Sequence, residues 1–399
     1  MRLTKSRFVA ALTCPTKLFY LANTDYANQS AEDTFLAALA EGGFQVGELA
    51  KLYFPTGINI ETLDVIKAVD QTSELLRKES VIIFEAAIRY QNCFVRVDIL
   101  EKKGNSIRIH EVKAKSFNGI QDSNFLKTDG SPKASWKKYL YDVAFQKWVC
   151  SRALSNHIIS AHLMLADKSK KITAAGLNQK FKIQEINGRK KVKVEDNILK
   201  EHLTPRILTS VNVDNICVDI FTATEHGLEI EETFDQMVQR FSFACEHGQL
   251  IEPQLGTHCG QCEFLCSNDE KLLGKKDGRS ECFKLKLGIE PSVFEKPTIF
   301  NLWNFREKKK FINEGIIQLS DLNEGDVNPS PTDRGLSNSE RQWIQVQKAK
   351  DNDDTVYLDH KGLRSEMDSW VYPLHFIDFE TTMAAIPFGA NQTPYEGIA

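Results

Sequence analysis

Three stretches of strand-like, largely apolar sequence lie close together in the first third of the chain: VIIFEAAIRY at 81–90, CFVRV running into Asp98, and Ile107 and Ile109 leading into Glu111-Val112-Lys113. A short polar turn containing Gly104 separates the last two, which predicts a hairpin. A helical pattern follows in YLYDVAFQKWV (139–149), then a strand in HIISAHLMLA (157–166), a lysine-rich hairpin stretch, an apolar strand in VDNICVDIF (213–221) and a helix over 231–246. Upstream, 29–54 carries an amphipathic helical pattern interrupted at Gly42-Gly43, and 58–76 carries a second helix. Downstream, 300–322 reads as a helix, 321–340 as a Pro/Gly/Asn/Asp-rich surface loop, 338–350 as a helix, and 372–387 as a strand containing Asp378-Phe379-Glu380. Strands alternating with helices predict an α/β fold with a mixed sheet flanked by helices. The expected domains are 1–290, a helical linker at 291–370, and a further domain beginning at 371–399.

The hairpin concentrates the chemistry. Side chains alternate faces along a strand, so Glu111 and Lys113 project to one side. If the two strands pair, Asp98 comes within metal-bridging distance of Glu111. Two carboxylates beside a lysine suit holding Mg²⁺ or Mn²⁺ and activating water against a phosphodiester. Short D…E-x-K patterns also arise as solvated charge on hairpins, so context matters. Here the context is Glu85 on the preceding strand and Gln146 on the following helix.

At 399 residues, with 42% hydrophobic and 26% charged residues, the composition is that of an ordinary globular protein of two or three domains. The net charge of −4 gives no basic excess in favour of nucleic acid. Charge is nevertheless local: 166–193 holds Lys168, Lys170, Lys171, Lys180, Lys182, Arg189, Lys190, Lys191 and Lys193. Such a run is either a solvated hairpin face or a track for a phosphate backbone. No apolar run approaches the roughly 20 residues of a membrane span. The apolar stretch Phe8 to Leu12 is shorter than the roughly 7–15 residues of a signal peptide core. A cytoplasmic protein without a membrane partner is therefore expected.

Nine cysteines in such a protein point to metal or redox chemistry rather than disulfides. Cys259-Gly-Gln-Cys262, with Cys266 and Cys282 beyond, fits zinc or an iron–sulfur cluster equally on spacing. Cys14 precedes Pro15, at a predicted junction between two helices. Cys93, Cys150, Cys217 and Cys245 sit in apolar or helical contexts and read as buried small hydrophobes.

The stretch from Glu85 through Asp98, Glu111-Val112-Lys113 and Gln146 resembles the PD-(D/E)XK nuclease superfamily, in its RecB-like branch. That resemblance implies a restriction-endonuclease-like core. Asp98, Glu111 and the Val112 carbonyl would hold the metal, while Glu85, Lys113 and Gln146 would complete the catalytic set. Glu48, on the preceding helix, is a further candidate for the metal site. With the Cys14-Pro15 motif and the later cysteines, the chain resembles the iron–sulfur nucleases, such as the CRISPR-adaptation exonucleases and AddB-type nuclease domains. This implies a structural [4Fe–4S] cluster on Cys14, Cys259, Cys262 and Cys282, with Cys266 competing for the fourth place and Zn²⁺ as the alternative metal. YPLHFIDFET resembles the opening of a DEDD exonuclease-like, RNase H-like domain. The sequence runs only to Ala399, short of that domain's later acidic motifs, so a truncated start without activity of its own is expected. The function implied is metal-dependent DNA hydrolysis in repair, recombination or phage defence. The alternatives are an RNA-directed nuclease and a catalytically silent nucleic-acid-binding module.

Overall fold

The computed structural model describes residues 1–31, 34–119, 125–186, 189–228, 230–333, 335–378 and 380–397. The chain forms two units: Met1–Ala22, Glu32–Ile251 and Thr381–Ala399 make the first, Asn23–Ala31 and Glu252–Glu380 the second. This division differs from the expected one. Residues 252–290 group with the segment that follows them, and the residues after Asp378-Phe379-Glu380 return to the first unit.

The first unit runs β1 (Leu3–Thr4), α1 (Lys5–Thr13), α2 (Lys17–Ala22), α3 (Thr34–Leu52), β2 (Ile58–Asn59), α4 (Val65–Leu75), β3 (Ser80–Tyr90), β4 (Cys93–Lys103), β5 (Ser106–Phe117), α5 (Ala134–Ala153), β6 (Ile158–Asp167), β7 (Phe181–Ile186), β8 (Arg189–Val194), β9 (Leu208–Asn212), α6 (Asp214–Thr222) and α7 (Phe234–His247). The sheet order is β2-β3-β4-β5-β6-β9, with β1 added beside β4. β3, β4 and β5 form an antiparallel meander, and Gly104, at φ +56°, makes the turn that leads into β5. β6 lies parallel to β5, reached through α5, and β9 closes the edge antiparallel. The result is a mixed α/β sheet flanked by helices.

Aromatic packing fixes one face. Phe8 of α1, Phe145 of α5 and Phe234 and Phe241 of α7 are fully buried, with Phe8 stacked on Phe145 at 4.5 Å between centroids. Each such side chain contributes roughly 2–3 kcal/mol of burial. The second face is covered by α3, the β7–β8 hairpin and the 381–397 segment, whose Ile386 is buried with Tyr53 and Phe181. That segment is tied in by backbone bonds from Ile172 to Gln392, from Asn391 to Ile172 and from Gly176 to Phe388.

Several sequence expectations are corrected. The strand expected over 213–221 is instead α6, Asp214–Thr222: Ile216, Cys217 and Ile220 are buried at helical spacing, a pattern that a short apolar run shares with strands. Gly42-Gly43 does not interrupt α3, and 58–76 divides into β2 and α4, with Asp64 capping α4 by accepting from Lys67 N–H. The described residues of 372–380 form no strand; Phe379 lies outside the description, and Asp378 and Glu380 are exposed. Pro15 does separate α1 from α2, with Cys14 between them.

The second unit carries α8 (Asn268–Leu272), α9 (Gly278–Leu287), α10 (Lys308–Asn313), α11 (Glu324–Val327), α12 (Asn338–Asp351) and α13 (His360–Asp368). The helix expected over 300–322 shrinks to α10 and short turns around a core of Phe283, Ile299, Leu302, Phe311 and Val346. Residues 23–31 join it through Tyr26, whose hydroxyl donates to Glu281 Oε2 at 2.7 Å. Among the described residues no helix is long and apolar enough to cross a membrane.

Candidate active site

A cleft of about 620 Å³ opens in the first unit between α3, the meander and the β8 strand. Glu85, Asp98, Glu111, Val112 and Lys113 all line it. The antiparallel register pairs Ile99 with His110, which sets Asp98 beside Glu111 and lets Val112 N–H donate to Asp98 Oδ2 at 2.8 Å. Val112 thus meets Asp98 through its backbone N–H, and its carbonyl is a separate group from the one in this contact.

Glu111 is almost wholly buried, at 1% exposure, and is surrounded by donors. Lys113 Nζ lies 2.6 Å from its Oε1, and Gln146 Nε2 donates to its Oε2 at 2.7 Å. The same two donors bridge to Asp142, at 2.9 Å from Lys113 and 3.0 Å from Gln146. Asp142 stands four residues before Gln146 on α5, hence on the same helix face.

A second cation completes the network. Lys5, the first residue of α1, places its Nζ 3.1 Å from Asp98 Oδ1 and 3.1 and 3.0 Å from the two Glu111 oxygens. Three observations account for its delivery. β1 pairs with β4 at Leu3–Cys93 and Thr4–Phe94, Thr4 caps α1, and Phe8, one turn on, is locked against Phe145.

The charges sort the carboxylates. Burial opposes ionisation of Glu111, but Lys5 and Lys113 hold its carboxyl down to about 2. Burial, then the charge of Glu111, pushes Asp142 up to about 6. Burial and Glu111 likewise raise Asp98, and burial and Asp98 raise Glu85. Burial works against the charge on Lys113, yet Glu111 and Asp142 keep it firmly protonated. Glu85 sits in β3 between Phe84 and Ala86, which pair with Ile99 and Val97, and so faces Asp98. Its φ of +57° is uncommon for a non-glycine residue and marks a strained backbone at the cleft wall. Glu48 also lines the cleft, ion-paired with Lys51 at 2.8 Å.

The donor set suits a hard divalent cation. Asp98 and Glu111 already chelate one cationic centre, the Lys5 ammonium, from two strands. Mg²⁺ is commonly held by one or two carboxylates with water filling the remaining positions. Gln146 Oε1 is buried and has no hydrogen-bond partner among the described residues. Among the described residues no group of three or more His, Cys, Asp or Glu side chains has metal-holding geometry.

Basic and aromatic groups extend on either side. Lys190, Lys191 and Val192 of β8 line the cleft, and the basic stretch does form the expected hairpin. Beyond Lys113, the half-buried ring of Tyr139 has Lys138, Lys115 and Lys113 ammonium groups at 4.9, 5.4 and 5.9 Å from its centroid. Among the described residues Lys115 and Lys138 have no acidic partner within ion-pair distance, whereas Lys113 is neutralised.

The candidate ligand cysteines divide between the two units. Cys14 belongs to the first. In the second, Cys259 lies on a short turn, Thr257–Gln261, and Cys262 at its exit, while Cys282 is buried on α9. Cys266 points its thiol at the Lys275 carbonyl, 3.5 Å away. Cys93, Cys150, Cys217 and Cys245 are buried, as their apolar settings suggest.

Lys5 and Asp142 are the two site residues that the sequence reading missed. Asp142 carried a readable signal, its four-residue offset from Gln146. Nothing local marks Lys5. Compared with family models, with curated proteins and with solved structures, the chain matches none.

Proposed function

We propose that the first unit is a divalent-metal-dependent nuclease of PD-(D/E)XK type that hydrolyses DNA phosphodiester bonds. The observation that carries this reading is the Asp98–Glu111 pair, two strand-borne carboxylates sharing one cation, with Lys113 and Gln146 bonded to the same Glu111. Asp98 and Glu111 would hold Mg²⁺ or Mn²⁺, which would supply Lewis-acid chemistry toward the phosphate and the attacking water. Lys113 stays protonated, so its part is to offset charge on the phosphoryl oxygens rather than to act as a base. Glu85, raised by burial and by Asp98, is the cleft carboxylate suited to accepting a proton from the attacking water. Gln146 and Asp142 hold Glu111 and Lys113 in register and are positioning residues.

The test is cleavage of end-labelled single- and double-stranded DNA, with an RNA arm, in Mn²⁺ or Mg²⁺ and with an EDTA control. Cleavage that appears with the metal and vanishes with EDTA is expected; persistence in EDTA sinks the metal-dependent reading. A second reading, a nucleic-acid-binding module without cleavage, is favoured by Lys5 sitting at the carboxylates; it predicts DNA binding and no cleavage in any metal.

Tyr139 with Lys115 and Lys138 suits a nucleotide next to the scissile bond, the ring taking a base and the lysines its phosphates. Lys115→Ala with Lys138→Ala is expected to weaken DNA binding about tenfold at low salt. The slope of log affinity against log salt should fall by roughly one to two, since each phosphate contact contributes about 0.7–0.9. An unchanged slope removes these lysines from the substrate path.

A structural [4Fe–4S] cluster on Cys14, Cys259, Cys262 and Cys282 remains part of the proposal. Cys259 and Cys282 are buried and Cys14 and Cys262 partly so; thiolates suit a soft metal, and Zn²⁺ is the alternative. Iron, sulfide and zinc content decides between them, and no catalytic step depends on the outcome.

A further inference from the structure

We propose that Lys5 is a tethered cation that exchanges with the divalent metal: its ammonium closes the Asp98–Glu111 pair when metal is absent and leaves it when metal enters. This inference rests on the metal-dependent reading of the cleft and goes beyond it, because it assigns the state of the site before loading and the residue that sets its metal affinity.

The geometry is that of competition for the same atoms. Lys5 Nζ contacts Asp98 Oδ1 and both Glu111 oxygens, the acceptors that a bridging metal would need. Two unit charges this close repel strongly at the effective dielectric of a partly buried site, and a divalent ion doubles that repulsion. An ammonium and a divalent ion therefore do not share these carboxylates at low cost. Lys113 cannot take over this part, since Asp142 and Glu111 hold it from the other side.

The anchoring of Lys5 separates its backbone from its ammonium. The backbone is fixed by the β1–β4 pairing and by Phe8 on Phe145. The side chain has a flexible four-carbon stem. It can swing out of the carboxylates into the cleft, which Lys5 itself lines, without moving α1. Once displaced, its charge stays beside the position of the phosphate. The exchange keeps the two carboxylates neutralised in both states, so neither state leaves buried charge unpaired.

The test uses the whole 399-residue chain at pH 8 and two readouts independent of cleavage. In the first, Mn²⁺ binding is followed by electron paramagnetic resonance in the wild type, in Lys5→Met, which keeps the stem and removes the charge, and in Glu111→Gln as the site control. Lys5→Met is expected to bind Mn²⁺ at least tenfold more tightly than the wild type, and Glu111→Gln to lose the site. In the second, which needs no variant, lysine acylation of the wild type is mapped by mass spectrometry with and without Mg²⁺; labelling of Lys5 is expected to rise severalfold with the metal. Equal or weaker Mn²⁺ binding by Lys5→Met, or Lys5 labelling indifferent to a metal that binds, overturns the exchange and leaves the nuclease reading standing. Absence of Mn²⁺ binding in both wild type and Lys5→Met overturns both.

Discussion

Lys113→Ala is expected to reduce DNA cleavage by about a hundred- to a thousandfold, the loss typical of removing one preorganised charge-stabilising group from a water-poor site. The size follows from where Lys113 stands. Its ammonium is fixed at 2.6 Å from Glu111 and 2.9 Å from Asp142, so no reorganisation is needed when charge develops on the phosphate. DNA affinity should change little by comparison, because Lys190, Lys191, Lys115 and Lys138 retain their charge. A structural explanation has to be separated from a chemical one, since removing a partner from a buried ion pair can cost about 3–5 kcal/mol. Two features reduce that cost. Glu111 keeps Lys5 and Gln146, and Asp142, already raised to about 6, takes up a proton instead of remaining charged. The measurement is single-turnover cleavage beside the urea midpoint and the DNA affinity of the same preparation. Cleavage within about threefold of the wild type, with the fold intact, would remove Lys113 from the chemistry.

The contrast between Lys113 and Lys5 shows which parts of this site a sequence can disclose. Asp98, Glu111 and Lys113 were legible because their relation is local: a hairpin with a tight turn and a side-chain period of two leaves little freedom about which side chains meet. Gln146 was legible through its place on the following helix, although only the structure brings in Asp142 beside it. Lys5 depends on a two-residue strand pairing with β4 and on one aromatic stack, contacts that join positions about a hundred residues apart and leave no periodic trace.

Misreadings elsewhere have the same origin. A nine-residue apolar run at 213–221 has too few positions to separate a period of 2 from 3.6, and burial against α5 and α7 decided it as a helix. Gly42-Gly43 looked like a break because each glycine costs a helix about 1 kcal/mol. Yet α3 continues, with Gly43 and Gly47 one turn apart on the cleft wall and open space where a Cβ would project. The apolar stretch before Asp378 has β propensity but no pairing partner among the described residues, and a lone strand is not stable.

Acidification is expected to destabilise the first unit through a residue on the opposite side of the strand from Glu111. His110 is buried, with Nδ1 2.9 Å from Ser210 Oγ, its ring 5.0 Å from that of His162, and Nε2 without a hydrogen-bond partner among the described residues. Burial, then His162, pushes its imidazole down to about 3 from an ordinary 6.5. Above pH 6.5 the folded and unfolded chains both hold it neutral and it adds no pH dependence. Below that, the unfolded chain binds a proton that the folded one refuses, so stability falls with pH until about 3. The cost is roughly 2 kcal/mol at pH 5 and roughly 4 kcal/mol at pH 3, at about 1.4 kcal/mol per unit. Asp142 works in the other direction. Its folded value near 6 lies above the unfolded 3.8, so the folded state gains protons first and recovers roughly 1 kcal/mol by pH 5. Glu111 joins the loss only below about 4.5, where the unfolded carboxylate protonates while its folded counterpart resists down to about 2. These groups together predict a shallow decline from pH 7 to 5 and a steep one below it. His110→Phe, which keeps a ring between Phe54 and His162, separates the terms: from pH 7 to 5 its stability should hold or rise slightly by urea unfolding, while that of the wild type falls. Parallel slopes for the two proteins would show that His110 is not the group that resists protonation.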